Sequence, residues 1–341
     1  MRPQPRPRLV DLADRLNVAP STVSRALAGS KSVSAATRKR VIEVARDMGY
    51  SVNPVASGLK RGQTSSIGLI AVMSYWYSGA VTSGADRVAA AHDYDFVVMN
   101  AVGGIDREVL IQRARRLGQR VDGALAIDIR EGELLEDLID ALGVPVVTIG
   151  CQSSAVSAVL VDNEEIARQA AAHLRSLGHQ RAAALWPQNP SPLAFDNALV
   201  RIDAFTTAFG AEGTRRQMIP AGASTARRAA ILEAATDVSA IFCATDALAI
   251  EVIATLRDAG RPVPDDVSVI GVDDHPLAEA VGLTTIAQEP EAMGELATAM
   301  VIAAAQGQGA PREIVEHGVR LVARRTSGPY GGGGLSAVAG A

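Results

Sequence analysis

Apolar residues recur along this chain at two periods, and the change of period divides it. Leu9, Leu12, Ala13 and Leu16 fall three and four apart, which predicts a short amphipathic helix. Asn17 follows, a residue that tolerates the left-handed conformation needed to end a helix and turn sharply. After Val18 and Ala19, Pro20 opens a second short helix over 20–27, at the position where a missing N–H is harmless. Two short helices joined by a tight turn predict a helix-turn-helix. A third helix is predicted from Ser34, whose hydroxyl can cap the next turn, through Met48 to Gly49. Val41, Ala45 and Met48 would close a small core, with Arg38, Lys39 and Arg40 facing solvent or phosphate.

From Ser66 the pattern becomes apolar runs of strand length alternating with helix-length segments. Strands are expected over 67–73, 96–101, 124–128, 144–149, 158–161, 182–186, 240–244 and 267–271. Helices are expected over 80–93, 105–117, 132–142, 163–177, 194–209, 224–235, 246–259 and 291–306. This βαβα rhythm implies parallel sheets with helices on both faces, and ligands in such folds bind beyond the carboxyl ends of the strands. Between the two patterns, residues 53–62 contain nothing that can form a core, and Gly58 disfavours a helix, so the stretch reads alone as a linker. At 341 residues the chain should fold as two or three compact units.

Composition adds limits. Apolar residues make up 48% and charged residues 21%, the balance of an ordinary soluble protein. No apolar run approaches the roughly 18 residues of a membrane span. Residues 1–8 carry charge and prolines without an apolar stretch, so a secretory signal is absent and a cytoplasmic location, away from membranes, is expected. The net charge of −4 conceals an asymmetry: residues 1–62 hold 12 of the 33 Lys and Arg but 4 of the 37 Asp and Glu. A basic module joined to an acidic body suggests one unit that meets a polyanion, and the short polar second helix makes that polyanion DNA. Cys151 and Cys243 match no metal spacing and sit in or beside apolar runs, as buried free thiols do. Nucleophile elbow, P-loop, dinucleotide fingerprint and zinc spacing are all missing, and Asp273-Asp274-His275 lie too close on one strand end to converge on a metal. A non-enzyme without cofactor or metal is expected.

Thr22-Val23-Ser24-Arg25, Val33-Ser34, Thr37-Arg38, Gly49-Tyr50 and Asn53-Pro54 resemble the head of the lactose/galactose repressor family. The resemblance continues through Val161-Asp162-Asn163, Leu177-Gly178-His179, Thr245 to Ala249, Val263 to Gly271 with Asp273-Asp274, and Leu283 to Ile286, covering about residues 8 to 328. It implies a sequence-specific DNA-binding transcriptional regulator, a repressor, with an all-α helix-turn-helix head and an α/β body of two lobes like periplasmic sugar-binding proteins. Three segments would cross between the lobes. The expected boundaries are a head over 1–52, a hinge over 53–63, lobe one over 64–160 and 291–320, and lobe two over 161–289 and 321–328. The Gly/Ser/Ala-rich stretch from Thr326, and the tail 329–341 in particular, is expected to be disordered, without the leucine heptads of a tetramer.

By the same resemblance Pro20, Ser21 and Arg25 face base edges, with Arg25 suited to guanine O6 and N7. Thr22, Ser24, Ser34 and Thr37 position the DNA backbone. Asn53, Ala56 and Leu59 contact DNA from a hinge that becomes helical when two copies meet, Leu59 wedging into the minor groove. The implied partners are a pseudo-palindromic operator, a second copy of the chain and a small effector, most simply a carbohydrate. Arg201, Asp273 and Thr245 would line the effector cleft from lobe two, and Gln288 from a crossing segment. Tyr75-Trp76-Tyr77, in the loop after the first strand, would form a stacking wall. Gly150-Cys151 replaces a pair that is often acidic and basic in relatives, and Asp128 is the candidate substitute. Arg8, Asn17 and Ala19 depart from the residues that usually end and cap the first two helices. A purine-responsive regulator is an alternative, and so is a transport-type sugar-binding protein, which leaves the basic head unexplained.

Overall fold

A computed structural model describes residues 7–27, 29–30, 32–50, 63–73, 76–101, 106–188, 197–309 and 311–331. Asn53, Ala56 and Leu59 of the expected hinge, Tyr75, and residues 332–341 of the tail lie outside the described residues. The chain divides into two compact units, Met1–Ser65 and Ser66–Ala341.

Among the described residues the head has three helices: α1 (Leu9–Leu16), α2 (Pro20–Leu27) and α3 (Ala35–Asp47). Leu12, Ala13, Leu16, Val23, Ala26, Val41 and Ala45 are buried together, and Met48 packs against them. Asn17 takes φ 51° and ψ 49°, so α1 ends in the left-handed turn that its type allows. Where a Ser or Thr cap is missing, the Arg8 backbone N–H donates to Asp11 Oδ2 at 2.7 Å, which fixes the helix entry. Ser34 Oγ accepts from the Thr37 N–H at 3.1 Å and caps α3. One expectation fails here. Arg38 does not simply face outward: its Nη2 donates to Gly29 O at 3.0 Å and Ser30 O at 2.7 Å, tying down the loop before α3.

Among the described residues the second unit contains two six-stranded sheets. The first has the order β11-β5-β4-β3-β1-β2 and is parallel throughout. Its strands are β1 (Ser66–Ala71), β2 (Asp95–Asn100), β3 (Gly123–Ile127), β4 (Val146–Ile149), β5 (Ser157–Val161) and β11 (Ile314–His317). The second has the order β12-β10-β9-β8-β6-β7. It comprises β6 (Ala182–Pro187), β7 (Thr214–Ile219), β8 (Ala240–Cys243), β9 (Ser268–Asp273), β10 (Thr284–Ala287) and β12 (Arg320–Val322), with only β12 antiparallel. The helices between strands are α4 (Trp76–Ala91), α5 (Arg107–Gly118), α6 (Glu133–Leu142), α7 (Asn163–Ser176), α8 (Asn197–Phe209), α9 (Ser224–Ala234), α10 (Asp246–Asp258), α11 (Pro276–Val281) and α12 (Pro290–Ala305). The chain passes between sheets after β5, after β10 and after β11, which is the three-crossing, two-lobed architecture expected.

The central strands are continuous apolar runs, because helices cover both faces of each sheet. In the first lobe α12 returns to pack on α4. That contact is close enough that a Cβ at Gly84 would lie 1.9 Å from Glu291 O, and one at Gly294 2.1 Å from Val81 O. In the second lobe Phe205 stacks on Phe209 at 5.3 Å and on Phe242 at 4.5 Å between ring centroids. Cys151 and Cys243 are buried free thiols.

The segment from Thr326 is a second correction. Thr326 is buried, accepts from the Thr284 N–H at 2.9 Å and donates to Val269 O at 2.8 Å. Ser327 pairs with Thr284 Oγ1 at 2.9 Å and His173 Nε2 at 2.8 Å, and the Tyr330 N–H donates to Leu177 O at 2.8 Å. Residues 326–330 thus form a strap on the second sheet, held by polar groups that composition alone reads as disorder.

Candidate functional site

The carboxyl ends of both sheets open onto one cavity of about 280 Å³. Asp128 follows β3 and Gly150 follows β4 on one side; Thr245 follows β8, Asp273 ends β9 and Gln288 follows β10 on the other. Arg201 projects from α8 and Trp76 and Tyr77 from the first turn of α4. A strand that stops against a helix-covered sheet leaves its next residue at the cleft, so chain order alone delivers these side chains there.

A continuous line of hydrogen bonds runs through the wall. Arg201, 5% exposed, donates through Nη2 to Gln288 Oε1 at 3.0 Å and through Nη1 to Ala244 O at 3.0 Å. Gln288, 1% exposed, donates to Asp273 Oδ1. On its other side Arg201 Nε donates to Asn163 Oδ1 at 2.9 Å, and Asn163 Nδ2 donates to Asn197 Oδ1 at 3.0 Å. Asn197 then reaches the first lobe, giving its Nδ2 hydrogens to Asp128 Oδ1 at 2.9 Å and Gly150 O at 3.1 Å. Four side chains, Gln288, Arg201, Asn163 and Asn197, therefore join a carboxylate of one lobe to a carboxylate of the other.

Both carboxylates are set between the lobes with protein around them, although each keeps a face on the cavity. Burial pushes the Asp128 carboxyl up to about 7, against the opposing pull of Arg201 and the Asn197 amide. Burial, and then the charge of Asp246, raise Asp273 in the same direction. Asp128 and Asp273 hold φ values of 48° and 131°, backbone conformations uncommon for a residue with a side chain. Gly150 makes room for the first of them. A Cβ there would stand 2.0 Å from Asp128 Oδ1, and its φ of +71° suits glycine.

Trp76 and Tyr77 do not lie in a loop, as the sequence suggested; they begin α4. The Trp76 ring meets His275 of the second lobe at 4.9 Å between centroids, and the Tyr77 hydroxyl donates to Met293 Sδ at 3.4 Å. Thr245 lines the cavity, but its Oγ1 accepts from the Leu248 N–H at 3.3 Å and caps α10. Sequence reasoning assigned no role to Asn163 or Asn197. Asn163 sits in a quoted motif, and Asn197 carried no signal.

In the head, Pro20, Ser21 and Arg25 are exposed on α2, opposite buried Val23 and Ala26, while Thr22 and Ser24 are half-buried. Ser34 and Thr37 hydroxyls lie 2.8 Å apart at the start of α3. Among the described residues no group of three His, Cys, Asp or Glu could hold a metal ion, and no helix is long and apolar enough to cross a membrane.

A helix-turn-helix joined to a two-lobed body with a polar cleft defines a ligand-responsive transcriptional regulator. Residues 8–53 match the family described as bacterial regulatory proteins, lacI family, and residues 171–327 match a periplasmic binding protein-like domain. The HTH-type transcriptional regulator CelR of Thermobifida fusca is 30% identical over 327 residues, 87% of this chain and 91% of the relative. The chain belongs to the lacI family of bacterial regulatory proteins, and it is a DNA-binding transcriptional regulator. A solved CelR–cellobiose complex is similar with a TM-score of 0.66 and 26% identity, over 94% of this chain and 100% of that one. The lac repressor dimer bound to operator and the anti-inducer ONPF shares the fold, with a TM-score of 0.82 at 23% identity over 95% of this chain and 100% of that one.

Proposed function

We propose that this regulator is a repressor whose operator affinity is set by a sugar bound between its two lobes. The observation that carries this reading is the polar line from Asp273 through Arg201 to Asp128 in the cavity wall. Guanidinium donors beside carboxylate acceptors suit neighbouring hydroxyls, which need both. Trp76 offers an apolar face against a sugar ring. The cellobiose in the CelR complex supports the same class.

In the head, Arg25 reads guanine, with Pro20 and Ser21 beside it, while Thr22, Ser24, Ser34 and Thr37 set the register on the phosphates. One such head spans too few base pairs for a unique site, so the functional unit is a homodimer on a pseudo-palindrome. The hinge 53–63, with Asn53, Ala56 and Leu59, orders on DNA when two subunits hold it at one spacing, and the effector changes that spacing.

A thermal-shift screen of sugars and nucleobases on the full chain tests the sensing half. A sugar should raise Tm in the parent and fail to do so in Asp273→Ala; stabilisation by nucleobases alone would replace sugar with purine. Footprinting tests the reading half. Arg25→Ala should lose operator selectivity, about 1–3 kcal/mol, while keeping salt-dependent nonspecific binding. An unchanged footprint would remove Arg25 from base readout.

A further inference from the structure

The cavity offers a ligand more acceptors than free donors. Its charged lining sets three carboxylates, Asp128, Asp273 and Glu251, against two guanidiniums, Arg201 and Arg227. Both guanidiniums are engaged by the protein itself. Arg227 donates to both oxygens of Glu251, through Nε at 2.8 Å and through Nη2, and to Pro220 O at 2.7 Å. Arg201 directs three N–H groups at Asn163, Ala244 and Gln288. His275 Nδ1 accepts from the Leu277 N–H at 3.0 Å, and burial lowers its pKa, so it adds no positive charge.

Behind Asp273, Asp246 is fully buried and accepts from Thr285 Oγ1 at 2.6 Å and the His275 N–H at 2.8 Å. It adds negative field without facing the ligand. Asp128 and Asp273 each accept one side-chain hydrogen bond, and from a neutral amide. Burial holds both carboxyls protonated up to about neutral pH; once ionised, each can accept at roughly four positions, so both then have capacity turned toward the cavity. A site of this kind attracts hydroxyl or ammonium donors and repels a second anion, more strongly than it would in open water.

Gly150 is part of the same arrangement. The carboxylate of Asp128 occupies the space that any side chain at 150 would fill, since a Cβ there meets Asp128 Oδ1 at 2.0 Å. We propose that Gly150 and Asp128 together set the charge selectivity of the cleft, which takes a neutral or amino sugar and rejects the carboxylated or phosphorylated counterpart. This inference rests on the sugar reading above.

Calorimetry on the full chain at about pH 9, where both carboxyls are ionised, tests it with matched sets built on glucose, galactose, mannose, ribose and cellobiose. Each neutral sugar is compared with its available amino, acid and phosphate derivatives. In the set that binds, the neutral or amino member should bind at least about tenfold more tightly than its anionic partner, as expected when a charged hydrogen-bonding group is opposed. Asp128→Asn should narrow that ratio by about tenfold, with circular dichroism confirming that the body remains folded. Gly150→Ala, which displaces the carboxylate without removing it, should weaken the neutral sugar as well. An anionic member binding as tightly as its neutral partner, or a ratio unmoved by Asp128→Asn, overturns the proposal. Silence across every set retires the sugar reading itself, and charge selectivity among sugars falls with it.

Discussion

The two lobes bring nearly the same sheet to the cavity and arm it differently. Both sheets have six strands in equivalent order, and they diverge at β12, which runs antiparallel. The second lobe supplies Arg201, Asn163, Gln288 and Asp273 from four separate elements, already bonded to one another. The first supplies Asp128, whose side-chain partner, Asn197, belongs to the other lobe. One half of the site is held by its own lobe, whereas the other depends on the lobes being together. Preorganisation is therefore unevenly divided, and substitutions on the two sides should fail in different ways.

The largest effect should come from Arg201→Ala. It would strand Gln288, Asn163 and the Ala244 carbonyl and leave Asp273 without its neighbouring cation, a loss of about 3–5 kcal/mol. Urea unfolding measures it, and a loss below 1 kcal/mol would mean that the second lobe does not depend on this line.

Asp128→Asn sharpens the contrast through pH. The folded carboxyl titrates at about 7, above the ordinary carboxylate range, so between those values the folded state holds a proton that the unfolded state has released. Stability from this group is present at low pH and declines as pH rises toward 7. Asparagine removes that penalty, so the variant should gain about 2 kcal/mol over the parent at pH 8 and much less at pH 5. Asp273 and Asp246 shift in the same direction, while burial lowers His173, His179 and His275; all remain in both proteins and cancel in the comparison. A gap that is constant with pH would break the assignment.

Asn197→Ala should cost about 1–2 kcal/mol and move the Asp128 titration upward by NMR, because its amide lowers that pKa. The smallest change should be Thr245→Ala, about 1 kcal/mol of lost helix capping in thermal unfolding. A larger effect on effector affinity than that of Asp128→Asn would return Thr245 to the recognition surface.

Much of the fold was legible because parallel strands covered on both faces are apolar from end to end. The strands that escaped notice are those where that reasoning lapses. β7, β11 and β12 are edge strands with exposed residues, and β10 buries two threonines that bond to Ser327 and Asp246. Arg201 and Asp273 were found at the cavity by resemblance, and Asp128 by its place at a strand end. Asn163 and Asn197 were not singled out, since an amide at the start of a helix reads as ordinary capping chemistry. Trp76 and Tyr77 carried a visible aromatic signal, but the helix beginning beneath them was hidden by the glycine and serines that follow. The tail misled for the opposite reason: Thr326 and Ser327 work through hydroxyl geometry, which composition does not encode.

The line between the two carboxylates has a direction. Arg201 can only donate, and Asp128 and Asp273 accept through the Oδ1 atoms that face Asn197 and Gln288, so the amides between them each have a single satisfied orientation. Rotating Gln288, Asn163 or Asn197 by half a turn would set donor against donor. The wall thus shows a ligand a fixed sequence of polarity that the protein cannot reverse to suit a near-match. Epimers, identical in composition and size, present that sequence in the wrong order, and the cleft should tell them apart.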